Sequence, residues 1–327
     1  MSKPKALATR PLTLFPAARE ILNARFDVDY FSLRIPRDEL LKRVAASDAL
    51  VCLLTEKVDE ELLSTAPRLR IASTISVGYD NIDVPACTRH KVVATNTPGV
   101  LDDTTADFAW TLLMAIARRL LEGDTWMRSG NWPGWDLDQL CGGDIWGKTL
   151  GVLGFGRIGR GVARRSQGFR MRVLYNDAVR APADVEKELN AEFVDRDRLF
   201  RESDFISVHV PLMPETRHLI SRENLAKMKA TSYLVNTSRG PVVDEAALAE
   251  ALENRKIAGA ALDVFENEPK CNPALLKRTD VILTPHIASA SLETRTRMAV
   301  MAAENVVALF DGRRPPNTLN PEVLAAK

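Results

Sequence analysis

The stretch that most constrains this chain is Leu150-Gly-Val-Leu-Gly-Phe-Gly-Arg-Ile-Gly159, a short apolar run that breaks into three glycines spaced G-x-G-x-x-G. The residues after it, Arg160 to Gly168, predict a helix. A second apolar strand, Met171 to Tyr175, follows and ends at Asn176-Asp177. Strand, glycine turn, helix, and a strand closed by an acid is the order that a dinucleotide site needs. Gly154 allows the tight turn, Gly156 lets backbone approach a pyrophosphate, and Gly159 lets helix and strand pack closely. The helix N-terminus then offers free N–H groups and partial positive charge to phosphates. Asp177 stands 18 residues after Gly159, near the offset of the acid that holds the ribose hydroxyls. The glycine spacing alone is a weak signal, and a glycine-rich turn in another α/β unit is the competing reading. The flanking strand, helix and acid favour the dinucleotide.

A chain of 327 residues suggests two domains of ordinary size. Net charge is +1, so no global field favours nucleic acid or acidic membranes, and no apolar run is long enough to span a bilayer. Met1 to Arg10 carries lysines without a long apolar stretch behind them, which argues against a secretory signal. Cys52, Cys87, Cys141 and Cys271 are scattered, which fits free thiols in a reducing, cytoplasmic compartment. No histidines and acids stand at ligand spacing, so no metal is expected.

Along the chain, short strands alternate with helices. The first hundred residues predict strands at Ala6–Ala8, Ala49–Leu54, Ile71–Val77 and Val92–Ala94, and helices at Pro16–Ala24, Asp38–Ala46 and Asp59–Ser64. This alternation predicts a parallel sheet with helices on both faces, here without a glycine fingerprint. From Thr149 a second β-α series runs to about Pro285, with strands at Leu150–Leu153, Arg172–Tyr175, Phe205–Val210, Ser232–Asn236, Gly259–Leu262 and Val281–Leu283. Two long helices, Asp102–Arg119 and Ser291–Phe310, are expected to cross between the lobes as a hinge beside a ligand cleft. The fold expected is therefore α/β, with two Rossmann-like doubly wound parallel-sheet domains joined by two long crossover helices. Residues 1–101 and 288–327 would form a discontinuous first domain, and 102–287 the dinucleotide-binding one. Arg313-Arg-Pro-Pro316 reads as an exposed tail. The loop Ser129–Gly143, with Trp132 and Trp135 in it and Trp126 just before, either caps a nearby core or makes an oligomer contact.

Three further signals fall at strand ends in the second series, where active groups gather in open α/β sheets. In Val235-Asn-Thr-Ser-Arg-Gly240, Arg239 can clamp a carboxylate and polarise a neighbouring carbonyl. In Ala261-Leu-Asp-Val-Phe-Glu-Asn-Glu-Pro269, Asp263 can accept from a nicotinamide carboxamide, and Glu266 or Glu268 can orient a histidine. In Leu283-Thr-Pro-His286, the histidine ends the last strand and can move one proton near neutral pH. His90, His209 and His218 stand in ordinary surroundings. Together these groups can hold a nicotinamide, grip a carboxylate, polarise a carbonyl and deliver a proton, the tasks of a 2-keto acid dehydrogenase.

Over nearly its whole length the chain resembles the D-isomer-specific 2-hydroxyacid dehydrogenases. The resemblance rests on Ser76-Val-Gly-Tyr-Asp-Asn-Ile-Asp83, Thr95-Asn-Thr-Pro98, Thr105-Ala-Asp107, the glycine fingerprint, His209-Val-Pro211, Asn236 to Gly240, Leu262 to Pro269 and Thr284-Pro-His286. Arg128-Ser-Gly-Asn-Trp and Leu140-Cys-Gly are similar to the glyoxylate/hydroxypyruvate and 2-ketogluconate reductase subgroup. The resemblance implies a flavodoxin-like substrate domain, and a short 2-keto or 2-hydroxy acid as substrate. It implies Arg239 as the carboxylate and carbonyl anchor, and His286 as acid/base paired with Glu268, leaving Glu266 a bystander. Val77 and Gly78 would offer N–H groups to the substrate carboxylate. Arg157 and Ile158 with Thr105 would cover the pyrophosphate, and Val210, Pro211 and Thr216 would line the adenosine. Thr237 and Asp263 would hold the nicotinamide end, with Ser238, His286 and Ala288 also in the cofactor set. It further implies a homodimer whose interface the aromatic loop crosses. Some hydroxypyruvate reductases send a tryptophan from this loop into the partner's site, and the matching position here is Gln139.

Asp177 bears on the choice of cofactor. A carboxylate ~4 Å from a 2′-phosphate, at an effective dielectric of ~20, is opposed by about 4 kcal/mol per charge pair before screening. That favours NAD, while Arg180 stands close enough to receive the phosphate of NADP. Phosphoglycerate dehydrogenase shares the motifs, but the chain ends at Lys327 without a regulatory extension. Formate dehydrogenase places a glutamine where Glu268 stands. An NAD-sensing transcriptional corepressor, of the same fold, is the rival from a different class.

Overall fold

A computed structural model describes residues 3–325. Met1, Ser2, Ala326 and Lys327, at the two ends of the expected first domain, lie outside the described residues. The chain forms two compact units. One comprises the residues up to Leu101 and again from Ala290, the other Asp102–Ser289.

The first unit holds five parallel strands: β1 (Lys5–Ala8), β2 (Asp27–Tyr30), β3 (Ala49–Cys52), β4 (Ile71–Thr74) and β5 (Val93–Thr95). Their order is β2-β1-β3-β4-β5, the flavodoxin-like order. Successive side chains point to opposite faces of a strand. Leu7, Leu50, Ala72 and Ala94 accordingly pack with Leu40, Leu62 and Cys87, while Ala6, Val51, Ile71 and Val93 pack with Leu22, Ala302 and Val306. Both faces are covered, which is why β3 and β4 are buried at every position.

The second unit holds seven parallel strands: β6 (Thr149–Leu153), β7 (Arg172–Asn176), β8 (Ala191–Phe193), β9 (Phe205–Val208), β10 (Tyr233–Asn236), β11 (Gly259–Leu262) and β12 (Val281–Leu283). Their order, β12-β11-β10-β9-β6-β7-β8, is the Rossmann order extended by one strand. The strand order reverses at β6, between β7 and β9, and dinucleotides bind at such a switch point. The helix Asp102–Ala117 packs in this unit, on the helix Arg157–Ser166 and on β10 and β11. The helix Leu292–Phe310 packs in the first unit, on the helix Pro16–Arg25 and on β4.

Two strands escape the sequence pattern. β2 reads Asp-Val-Asp-Tyr and β8 Ala-Glu-Phe, and each is an edge strand with exposed or half-buried side chains. An edge strand with one wet face has no apolar run to announce it. The expected Arg160–Gly168 helix starts earlier, at Arg157, with Gly156 as its N-cap. The strand expected over Phe205–Val210 stops at Val208, so His209 lies beyond it. A further helix, Leu120–Arg128, follows Arg119 at φ 49°.

The expected tail needs correction. Arg313 and Arg314 are exposed, but Pro315 is buried and Thr318 pairs with Thr95 of β5. Asn320, 1% exposed, accepts from Ala94 N at 2.8 Å and donates to Val92 O at 2.9 Å. Its side chain thus satisfies the open edge of β5. Asn320→Ala leaves that buried N–H and C=O unpaired and is expected to cost about 1–3 kcal/mol, read from urea unfolding. An unchanged midpoint would contradict this role.

Candidate functional site

The glycine turn sits where β6 meets the switch point. Gly154 has φ +89°, and a Cβ there would lie 2.7 Å from His209 C and Val210 N. A Cβ on Gly159 would lie 2.1 Å from Gly154 O, so the first helical turn can press on the strand end only as glycine. Among the described residues nothing stands within 4 Å of the Cβ position on Gly156, which leaves open space before the helix N-terminus. Asp177, just past β7, turns its carboxylate to this loop, where Oδ2 accepts from Phe155 N at 2.5 Å. Arg180 is held by Glu186 through two 2.9 Å contacts, and Tyr175 donates to the same glutamate. Glu186 could not be read from the sequence as Arg180's partner, because the two meet only once the chain turns into the helix after Pro182.

The other expected cofactor groups lie along the same edge of the sheet. Arg157 pairs with Asp102 at 2.9 Å, Ile158 is half-buried, and Thr105 is buried. Val210 and Pro211 follow β9, and Thr216 Oγ1 donates to Pro211 O at 2.6 Å. Thr237, at the end of β10, is 8% exposed, and among the described residues its buried Oγ1 has no hydrogen-bond partner. An orphaned buried hydroxyl, an open glycine cradle at a helix N-terminus and a carboxylate at Asp177 fit a bound dinucleotide.

Three loops at the ends of β10, β11 and β12 carry the reactive groups. Asn236, fully buried, accepts from Ser238 N and Oγ and donates to Arg239 O at 3.0 Å, which fixes the turn that carries Arg239. His286 Nδ1 lies 3.0 Å from Glu268 Oε2, and both side chains are about 30% exposed. Burial raises the Glu268 pKa, but the His286 hydrogen bond and charge, the Phe265 N–H and the Arg239 charge outweigh it and hold the carboxyl below the usual glutamate range. The choice between the two glutamates is thereby decided by geometry. Glu266 instead meets His218 Nε2 at 2.6 Å. His209 Nε2 shares a 2.7 Å hydrogen bond with Ser207 Oγ, and burial pushes it down to about 3, so it is neutral.

Asp263 is tied into the loop that carries His286. It is fully buried, and Oδ1 accepts from Thr284 Oγ1 at 2.6 Å and Ile287 N at 2.8 Å, while Oδ2 accepts from Ala288 N at 2.8 Å. A carboxylate bonded in this way braces the His286 loop. Burial raises its pKa, against the hydrogen bonds from Thr284, Ile287 and Ala288. Its backbone carbonyl also accepts from His286 N at 2.8 Å. His286 has φ 56°, a left-handed conformation that a non-glycine residue keeps only when its surroundings fix it.

In the first unit, the loop after β4 carries Val77 and Gly78. Their carbonyls accept from Asn96 Nδ2 and Ser76 Oγ, both at 2.7 Å, and among the described residues their N–H groups donate to no protein acceptor. At this unit's own switch point, between β1 and β3, the carboxylate of Glu56 accepts from Thr9 Oγ1 and Leu53 N and pairs with Arg10 at 3.3 Å.

Trp132 and Trp135 are 42% and 78% exposed, which excludes the core-capping reading of the aromatic loop. Gln139 Oε1 accepts from Trp132 Nε1 at 3.3 Å and Asp136 N at 3.2 Å, and so shapes this loop from within. Among the described residues no group of three His, Cys, Asp or Glu could hold a metal, and no helix is long and apolar enough to cross a membrane.

The profile of the D-isomer specific 2-hydroxyacid dehydrogenase NAD binding domain matches residues 110–288. A protein named glyoxylate reductase from Korarchaeum cryptofilum is 49% identical over 329 residues, 99% of this chain and 98% of its own. The structure of a D-lactate dehydrogenase from Aquifex aeolicus, complexed with NAD and lactic acid, matches with TM-score 0.85 at 30% identity, over 97% of this chain and 99% of that one. An NADPH-dependent glyoxylate/hydroxypyruvate reductase from Sinorhizobium meliloti, complexed with NADP and malonate, matches with TM-score 0.86 at 31% identity, over 97% of both chains.

The brace on the His286 loop can be tested without any substrate. Asp263→Asn puts an NH2 group against one of three donors, and hydrogen exchange over 284–288 should rise at least tenfold. Unchanged exchange would show that the loop holds itself.

Proposed function

Because the chain belongs to the D-isomer specific 2-hydroxyacid dehydrogenase family, we propose that it reduces a short 2-keto acid of the glyoxylate type to the D-2-hydroxy acid with NADH. The observation that carries this is the 3.0 Å His286–Glu268 pair, with Arg239 on the neighbouring loop and the glycine cradle on the same sheet edge. The second unit is assigned to the dinucleotide. The first is assigned to the substrate, whose carboxylate would accept from Val77 and Gly78 N–H.

When bound, the reduced nicotinamide supplies a hydride to the carbonyl carbon. Arg239 grips the substrate's carboxylate and polarises its carbonyl, a contribution of about 3–4 kcal/mol for a well-placed donor. Protonated His286 gives the proton from Nε2 to the carbonyl oxygen as the hydride arrives, while Glu268 holds Nδ1 and fixes the ring. Gly154, Gly156 and Gly159 bring the helix N-terminus to the pyrophosphate, and Arg157, Ile158 and Thr105 cover it. Val210, Pro211 and Thr216 line the adenosine, and Thr237, Ser238, Asp263, His286 and Ala288 line the nicotinamide end.

Selectivity for NAD is supported by Asp177 and by the two-point hold of Glu186 on Arg180. A homodimer is supported by Trp135 and Leu137, 78% and 80% exposed, and by Trp146 at 64%. A cytoplasmic setting is supported by the four free cysteines.

Steady-state rates with glyoxylate, hydroxypyruvate and 2-ketogluconate, each with NADH and NADPH, test the reading. Turnover on glyoxylate at or above about 1 s⁻¹ is expected, and no turnover on any of the three would point to a binding role instead. Asp177→Ala should raise kcat/KM with NADPH relative to NADH by tenfold or more. A wild type that already prefers NADPH severalfold would contradict the assigned role of Asp177. Glu268→Gln removes the carboxylate that, against burial, the His286 hydrogen bond and charge hold below the usual glutamate range, and with it the attraction that stabilises the charged pair. Reduction should then fail at a lower pH than in wild type, and an unchanged pH–rate profile would remove Glu268 from the pair.

A further inference from the structure

Glu245 is the first residue of the helix Glu245–Glu253 and is 6% exposed. A carboxylate this buried is costly unless its oxygens are satisfied. Both are satisfied by one loop. Oε1 accepts from Glu266 N at 2.5 Å and Oε2 from Asn272 N at 2.9 Å. Glu266 and Asn272 are the two ends of a turn, closed inside by Lys270 N donating to Asn267 O at 2.9 Å. Glu268 stands within that turn. Its Oε1 accepts from Phe265 N at 3.1 Å and its Oε2 meets His286.

The same turn is pressed from a second point. A Cβ on Gly240 would lie 1.9 Å from Phe265 C and O and 2.5 Å from Glu266 N. Gly240 directly follows Arg239, and Glu245 lies five residues further on. The segment that carries the carboxylate anchor therefore grips the turn that carries the histidine's partner, by backbone contact at one place and by a buried carboxylate at another.

We propose that Glu245 is a positioning residue for the reaction: it clamps both ends of the 266–272 turn and so sets the distance between Glu268 and His286. It touches no reacting atom. The proposal rests on the reductase reading for its kinetic consequence, but not for its structural one. Glu245→Gln preserves shape while replacing one acceptor by an NH2 that faces a backbone N–H. One end of the turn is then released. A displacement of about 1 Å in a catalytic group can cost up to a hundredfold in rate.

In Glu245→Gln, kcat for glyoxylate is expected to fall tenfold or more, with the dissociation constant for NADH changed less than twofold. The alkaline limb of the pH–rate profile should move to lower pH, as in Glu268→Gln. The double variant should be no slower than Glu268→Gln alone, because both changes break one device. An unchanged pH profile, with the two losses multiplying, would reduce Glu245 to a merely structural residue. Glu245→Asp keeps the charge but shortens the reach. It should fall between wild type and Glu245→Gln in both kcat and pH limb, and it carries the test if Glu245→Gln fails to fold. A second measurement needs no turnover. With only four histidines, the His286 imidazole resonances can be identified by their loss in His286→Asn. At fixed pH they should move in the Glu245 variants in the same direction as in Glu268→Gln. That movement without wild-type turnover would overturn the reductase reading and keep the clamp. Unmoved resonances would overturn the clamp whatever the turnover.

Discussion

The carboxylate of Asp263 is the contact on which the rest of the candidate site hangs. It is fully buried at the end of β11, and it collects a hydroxyl and two backbone N–H groups from the loop after β12. Those bonds hold the segment around His286 in a left-handed conformation that the residue would not adopt on its own. The imidazole is thereby placed 3.0 Å from Glu268 rather than left to sample rotamers. Preorganisation of this kind has a cost in stability, because a buried carboxylate must be fully satisfied to be tolerated. The return is a proton donor already aimed before substrate arrives.

The two parallel sheets make this possible. In a doubly wound sheet all strand C-termini open on one edge, so β10, β11 and β12 deliver Arg239, Glu268 and His286 from loops that are neighbours in space though far apart in sequence. The switch point at β6 places the glycine cradle on the same edge. In the first unit the carboxylate of Glu56, paired with Arg10, stands at the equivalent switch point.

Much of this was legible in the sequence. Fully buried strands write themselves as apolar runs, and the glycine spacing, Arg239 and His286 stand within four residues of where such runs end. What was not legible has a common physical cause. β2 and β8 are half-wet edges, with no run to find. The Asn320 contact with β5 joins residues more than two hundred positions apart. The hold of Asp263 on the His286 loop was hidden because a carboxylate at a strand end looks the same in sequence whether or not it bonds to backbone. Glu186 and Glu245 were unseen for a related reason: each acts on a segment that only the folded chain brings to it.

The central claim is that the dinucleotide cradle and the Arg239, Glu268 and His286 cluster serve one hydride transfer. The most direct measurement follows the hydrogen itself. With NADH carrying deuterium at the transferred position of C4, the account predicts deuterium at C2 of the glycolate formed from glyoxylate, with the carbonyl oxygen taking its proton from solvent-exchangeable His286. Product formed without deuterium at C2, or no label leaving the nucleotide, would contradict it.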